Sequence, residues 1–464
     1  MPPALPPDLL AAAAAFGDLR LALVVGAGCS TEQPTGLPLS RDLARRAHER
    51  LVDDAVLVAG DCENPDDLSL LADVVFAKTG GQRDLVDRME PRRLRDAPPN
   101  EGYRCAVALM LEGIVRSVVT LNFDLALSHA LADVGAAGRV STLRGPEEWR
   151  ALSGRSVIYL HRNIDCDPEH LVLRTEQLDE GWRNGWQQVV ATAAVSTPVC
   201  VFAGLGSRAR VWVESTELVR QALGAADVYL VGPGPWEASE FAGSLGIDAD
   251  HYLRLGWGEF MVAVAERTLT EHRRDLIAAA AQIADANGWP TEEIDGTLDR
   301  LLRAGLVRLG QARGQWLRQR SEYLPLSDET DNRLAVDLVI GVAVIERATA
   351  SEHRLSPDNS VEFRIGDRIL GRAVLASGGG VMTGEALSTR VRASLRAALA
   401  VESPPSLVVL GATTAPIGNP APPADLIDEP ATDDLVSGAL EPRFLTIQEL
   451  RADPRAVLEA WSVE

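Results

Sequence analysis

The sequence predicts an α/β protein built on a doubly wound, Rossmann-like parallel sheet, and three observations carry that expectation. Short apolar, β-branched runs alternate with helical stretches through about the first 265 residues. The first run, Leu21–Val25, is apolar on both faces, as a buried parallel strand requires. Polar and glycine residues stand just after the strand ends, at Gly26, Asn122, His161, Gly204 and Gly232. That is the carboxyl edge, where open α/β sheets bind their ligands.

The first strand is Leu21–Val25, broken at Gly26-Ala27-Gly28, where the backbone must turn and let another group approach. Ser30, Thr31, Glu32 and the corner Gly36-Leu37-Pro38 follow. A glycine turn between strand and helix is a phosphate-binding device or simply a place where a helix packs on a sheet. The full G-x-G-x-x-G fingerprint is absent, because Thr31 stands where its third glycine would be. Residues 40–111 read as a long helical insertion. A strand at Ile114–Leu121 then runs into Asn122-Phe123-Asp124 and a helix. Strands at Arg139–Leu143 and Ser156–Leu160 follow, the second ending at His161. The helix Gln187–Val195 leads to the strand Pro198–Ala203 and Gly204-Leu205-Gly206-Ser207. Val228–Val231 runs into Gly232-Pro233-Gly234, His251–Leu255 is an edge strand, and Gly258–Ala286 is helical.

The pattern then changes. Residues 266–328 predict a winged-helix-like segment, with helices on either side of Asn287-Gly288-Trp289-Pro290 and two short strands over LVRLGQARGQWLRQR. Residues 329–464 predict a C-terminal α/β domain with strands at LAVDLVIGVAVI, SVEFRI, RILGRAVLAS and SLVVLGA, and a helix at TRVRASLRAALA. Its element order is compatible with a degenerate nuclease-like fold.

Composition narrows the chemistry. A net charge of −21 argues against unselective binding to nucleic acid or anionic membrane. One stretch departs from it: residues 296–320 carry Arg300, Arg303, Arg308, Arg313, Arg318 and Arg320 against Asp299 alone. That stretch is either a nucleic-acid contact or a set of ion-pair partners for acidic protein surface. No apolar run is long enough to span a bilayer, and the start lacks a basic leader, so the chain is expected in the cytoplasm. The five cysteines have no C-x-x-C spacing, which points to reduced thiols and no zinc ribbon. Lys78 is the single lysine among 45 basic residues. A Walker A loop is therefore impossible, a Schiff-base lysine is not expected, and residues 329–464 cannot build a D…E-x-K nuclease centre. No metal site is expected.

Taken singly, Asn122 reads as a helix cap, Asp124 as a complement to the helix dipole, and His161 as a structural histidine. Taken together, Gly26-Ala27-Gly28-x-Ser30, Gly36-Leu37-Pro38, Thr120-Leu121-Asn122-Phe123-Asp124, His161 and Gly206-Ser207 resemble the motifs of the sirtuin superfamily. The likeness extends over about residues 10–265 and is strongest to the sirtuin-like domain of bacterial anti-phage defence proteins. The resemblance implies NAD as substrate, with Asn122, His161 and Asp124 catalytic. It also implies that Gly26, Ala27, Gly28, Ser30, Pro38, Gly206, Ser207 and Gly232 hold the nucleotide. The four-cysteine zinc module of deacetylating sirtuins cannot be built here, which favours plain NAD hydrolysis over deacylation. Arg162 stands where the family usually has glycine after its histidine. Two functions follow: an NAD glycohydrolase effector that depletes NAD when triggered, or a nucleotide-binding scaffold for a partner ATPase or nuclease. The resemblance also implies a homo-oligomer and either a partner ATPase or helicase or a phage-derived trigger.

Overall fold

The computed structural model describes residues 5–137, 139–179, 185–206, 210–223, 227–287, 291–317, 336–356, 360–375, 406–411 and 443–461. The chain forms two compact units, Met1–Arg267 and Thr268–Glu464.

The first unit is a seven-stranded sheet with every pairing parallel. Its strands are β1 (Leu21–Val25), β2 (Val115–Thr120), β3 (Ser141–Leu143), β4 (Ser156–Tyr159), β5 (Val199–Ala203), β6 (Asp227–Val231) and β7 (Tyr252–Leu253). They lie in the order β3-β4-β2-β1-β5-β6-β7. The chain thus builds outward from β1 on one side and then crosses to β5 on the other, so the switch point lies between β1 and β5. Every residue of β1, β4 and β5 is buried, which is why these strands read as continuous apolar runs. The core on one face joins Ala22, Val24, Cys200 and Phe202 to Trp212 and Phe241, with the Phe202 ring edge-on to both aromatics. The helical insertion between β1 and β2 comprises Ser40–Asp53, Leu68–Thr79, Arg83–Arg88, Pro91–Arg95 and Glu101–Leu111. All five cysteines are free thiols, and only Cys166 is other than buried.

In the second unit two expectations are corrected. The two short strands expected over 306–320 are not found among the described residues: Leu306–Leu317 is one helix, following Thr291–Leu302. Leu306 and Leu309 are buried one helical turn apart, and Leu309 joins Leu298, Leu301 and Leu302 in one cluster. Gly310 therefore continues a helix that its glycine seemed to break. Of the run 334–345, read as a strand, residues 336–345 belong instead to the helix Val336–Thr349; the first two lie outside the described residues. Val342, Ala343, Val344 and Ile345 are all buried in succession. Four successive buried positions leave no amphipathic period there, and the β-branched run mimics a strand.

A five-stranded sheet follows, of β8 (Glu352–Leu355), β9 (Val361–Ile365), β10 (Arg368–Leu375), β11 (Ser406–Gly411) and β12 (Arg443–Thr446). It is antiparallel from β8 to β10 and parallel from β10 to β12. Strands are expected at 360–365, 368–377 and 406–412, and the structure has Val361–Ile365, Arg368–Leu375 and Ser406–Gly411 there; the helix expected at TRVRASLRAALA lies outside the described residues.

Of the arginines between 296 and 320, Arg300 pairs with Glu346 at 2.8 Å and Arg308 donates to the Ser356 carbonyl, both inside this unit. Arg318 and Arg320 lie outside the described residues. Glu346 also accepts from Thr297 and from the His353 ring at 2.6 Å. Burial pushes the Glu346 carboxyl up, but the bonds from His353, Thr297 and Arg300 outweigh it and hold the pKa at about 2. The carboxylate therefore stabilises the unit above its ordinary 4.5 and loses that contribution as pH falls toward about 2.

Removing the carboxylate takes from the buried His353 ring and the partly exposed Arg300 the acceptor they share. Glu346→Ala should cost about 3–5 kcal/mol in denaturant unfolding at neutral pH. A loss below about 1 kcal/mol, the range of exposed pairs, would mean that water replaces the carboxylate.

Candidate functional site

Strand register sets out the site. Val25 pairs with Thr120 on one side and with Ala203 on the other, and Thr120 pairs with Tyr159. Gly26, Asn122, His161 and Gly204 consequently leave the sheet side by side at its carboxyl edge. Backbone bonds carry the ladder one step further: Leu121 N–H donates to Val25 O and Leu160 N–H to Thr120 O, each at 3.0 Å. Past the edge, Ile164 N–H donates to Phe123 O at 2.9 Å, tying the His161 loop to the Asn122 loop.

The first glycines meet another turn. Gly26 N–H donates to Ala203 O and Gly28 N–H to Gly204 O, both at 2.9 Å. A Cβ on Gly28 would stand 2.7 Å from Gly204 Cα, and one on Gly204 would stand 2.4 Å from Cys29 N. Gly204 also has φ +66°, the left-handed region. The close approach that these glycines permit is thus that of the β1 and β5 turns to each other. Ala27 lies half-buried between them and begins a 3₁₀ turn to Ser30. Leu37 N–H returns to Ser30 O at 2.9 Å, which places half-buried Pro38 next along the chain.

Below the glycines lies a buried polar knot. Asn122 Nδ2 is 3.1 Å from Gly26 O, 3.0 Å from Ser30 Oγ and 3.2 Å from Tyr103 OH. Ser30 Oγ donates to Asp124 Oδ2 at 2.9 Å and lies 2.8 Å from Tyr103 OH. Asp124 Oδ1 accepts from Ala126 N–H at 3.1 Å. Asp124, and not Asn122, therefore serves the start of the helix Ala126–Asp133. Burial pushes the Asp124 carboxyl up, against the pull of the Ser30 and Ala126 bonds. Asn122 keeps part of its surface open, whereas Ser30 and Asp124 are 2% and 5% exposed.

The amide orientation of Asn122 follows from chemistry. Gly26 O can only accept, so the nitrogen faces it and Oδ1 is the atom turned away from the knot.

Tyr103 and Glu32 were not singled out from the sequence as site residues. Tyr103 sits in the helix Glu101–Leu111, capped by Asn100, whose Oδ1 takes Tyr103 N–H and whose Nδ2 donates to Cys29 O. The Asn100 cap is visible as a pattern, but its second bond is not. Glu32 takes Trp257 N–H at 2.7 Å and Gly258 N–H at 2.9 Å, the first residues of the helix Trp257–Asn287.

His161 is partly open to solvent, and burial of its ring depresses its pKa to about 4. Arg162, next in the chain, has φ +67° and pairs with Glu147 at 2.9 Å. On the β5–β6 side, Gly206 is exposed and Ser207 lies outside the described residues. Gly232 N–H donates to Leu253 O at 3.1 Å, and Tyr252 OH reaches Gly234 O at 3.0 Å. The structure thus unites Gly26, Ser30, Asn122 and Asp124 through hydrogen bonds. It aligns His161 and Gly204 with them by register and sets Gly232 after β6, a strand further out. Among the described residues no group of three or more His, Cys, Asp or Glu side chains is placed to hold a metal ion. No described helix is long and apolar enough to cross a membrane.

No protein-family model matches the chain, and no curated protein does. Solved structures do show similarity. A Sir2 homologue in complex with NAD is 17% identical, over 58% of this chain and 96% of its own, with a TM-score of 0.36. A variant Sir2 homologue in complex with ADP-ribose is 19% identical, over 57% of this chain and 96% of its own, with a TM-score of 0.34. Identities and TM-scores this low transfer no residue's role.

A histidine kept neutral by burial disfavours protonation of the folded state. Its contribution to stability is full above the ordinary 6.5 and is lost as pH falls from there toward about 4. NMR titration of the His161 ring should give a midpoint near 4. A midpoint at the ordinary histidine value would show a solvated ring.

Proposed function

We propose that the chain is an NAD glycohydrolase, cleaving NAD to nicotinamide and ADP-ribose, with activity released by a trigger. The observation that carries this reading is the alignment of Asn122 and His161 at one sheet edge. There an outward amide oxygen and a neutral imidazole stand one strand apart beside the β1 turn. Departure of nicotinamide leaves an oxocarbenium-like ribose, which water captures at C1′. Asn122 Oδ1 accepts a hydrogen bond from that water or from a ribose hydroxyl and so fixes its position. His161, neutral through the physiological range, receives the proton released as the C–O bond forms. An NAD diphosphate bound at the same edge would raise the imidazole pKa from its low resting value, making it a better base when substrate is present. Asp124 reaches the site through Ser30. In this reading the second unit has a regulatory or assembly role, in the defence setting that the motif resemblance implies.

The alternative is a nucleotide-binding scaffold working with a partner ATPase or nuclease. On either reading the diphosphate must be held by groups other than the Gly26 and Gly28 N–H, which already donate to Ala203 and Gly204.

Chromatographic detection of free nicotinamide from NAD, with the trigger supplied, separates the two. Asn122→Ala and His161→Ala should each lower the rate by roughly 10²–10⁴-fold while the protein stays folded. NAD cleavage surviving both changes would place the chemistry elsewhere. Binding of NAD or ADP-ribose without any nicotinamide release would establish the scaffold.

Arg162→Gly relieves a left-handed backbone that costs a side-chain-bearing residue about 1 kcal/mol or more. It also removes the guanidinium next to His161. The basal rate should rise or stay unchanged; a fall would show that Arg162 serves the reaction.

A further inference from the structure

Tyr103 is 1% exposed and lies beneath Asn122 with its hydroxyl inside the polar knot. Hydrogen counting gives the knot a direction. The Ser30 hydroxyl donates its hydrogen to Asp124 Oδ2. With that hydrogen used, the 2.8 Å contact between Ser30 and Tyr103 must be donated by the tyrosine. The Tyr103 oxygen then turns its lone pairs to Asn122 Nδ2. The chain of donors runs Asn122 to Tyr103 to Ser30 to Asp124. Burial pushes the Tyr103 phenol far above its ordinary range, with the Asp124 charge adding to it, so its hydrogen is present at every working pH.

We propose that Tyr103 is a positioning residue for Asn122, its hydroxyl holding the side-chain amide with Nδ2 inward and Oδ1 outward. Three oxygens, from Gly26, Ser30 and Tyr103, surround the Nδ2 position. A flipped amide would set Oδ1 against all three, and the fixed donor direction of Tyr103 is what keeps its own oxygen an acceptor there. Tyr103 is itself held from two sides. Asn100 joins its backbone N–H to the Cys29 carbonyl, and the Trp257 ring meets its ring edge-on at 5.9 Å. Glu32 fixes the backbone of that tryptophan. The placement of Asn122 is thus tied both to the β1 turn and to the start of the helix Trp257–Asn287. In its consequence for rate the proposal rests on the NAD-cleavage reading; in its geometry it does not.

The test uses Tyr103→Phe in the full chain, with two readouts. For NAD cleavage, kcat should fall about 10-fold, the effect of one buried hydrogen bond, with KM nearly unchanged. The same change made in Asn122→Ala protein should have no further effect, whereas a merely structural loss would add in the double variant. Independently of any substrate, selective ¹⁵N labelling of asparagine reports solvent exchange of the Asn122 side-chain NH₂. That exchange should be slow in the wild type and about 10-fold faster in Tyr103→Phe. Unchanged exchange overturns the positioning role whether or not NAD is cleaved, as does a kcat loss that adds fully to Asn122→Ala. Faster exchange in a protein that releases no nicotinamide supports the positioning role and removes the NAD reading alone.

Discussion

The contact on which the first unit depends is backbone against backbone: the Gly26–Gly28 turn pressed onto Gly204. Two N–H donors from the β1 turn close on the carbonyls of Ala203 and Gly204, and added Cβ atoms would overlap main-chain atoms on both sides. Strand register brings these turns together at the switch point, and only residues without side chains let them close. Ser30 then lies where it can meet Asn122 and Asp124 from the next strand, and the polar knot follows.

The helical insertion gives the sheet edge its rigidity. One of its helices places Tyr103 beneath Asn122. Another end of it clamps the loop after His161: Gln82 Nε2 donates to the carbonyls of Pro168 and Leu171, each at 2.7 Å. Glu169 returns bonds to the backbone N–H groups of Gln82 and Arg83. Arg95 adds a bond to the Ile164 carbonyl. Loops that leave parallel strands carry unpaired backbone groups, and the insertion satisfies them while restricting where Asn122 and His161 can go. The loop after His161 thus has its backbone groups held by the insertion itself.

The second unit is organised around buried charge. Glu346, next after the buried run Val342–Ile345, gathers Thr297, Arg300 and His353, and Glu362 meets Arg372 at 2.6 Å across β9 and β10. Such groups are tolerated in a core only when each is paired. The arginines that looked like a basic face in the sequence include at least two, Arg300 and Arg308, whose bonds are internal.

By itself the sequence determined the sheet and its edge. Leu21–Val25 and Val199–Ala203 are apolar on both faces, and only a strand covered on both sides needs that. The residue types that follow each strand then named Gly26, Asn122 and His161 as a group. The sequence could not separate strand from helix at Val336–Thr349, because a run buried at successive positions, Val342–Ile345, has the composition of a buried strand and no amphipathic period. Nor could it show what each polar residue touches. Only the tertiary structure decided that Asp124 rather than Asn122 serves the following helix, and that Tyr103 completes the knot from 73 residues beyond Ser30. It also decided that the glycine turn closes on Gly204. Those contacts join segments far apart in the chain, and their partners are fixed by strand register and packing, which no local pattern encodes.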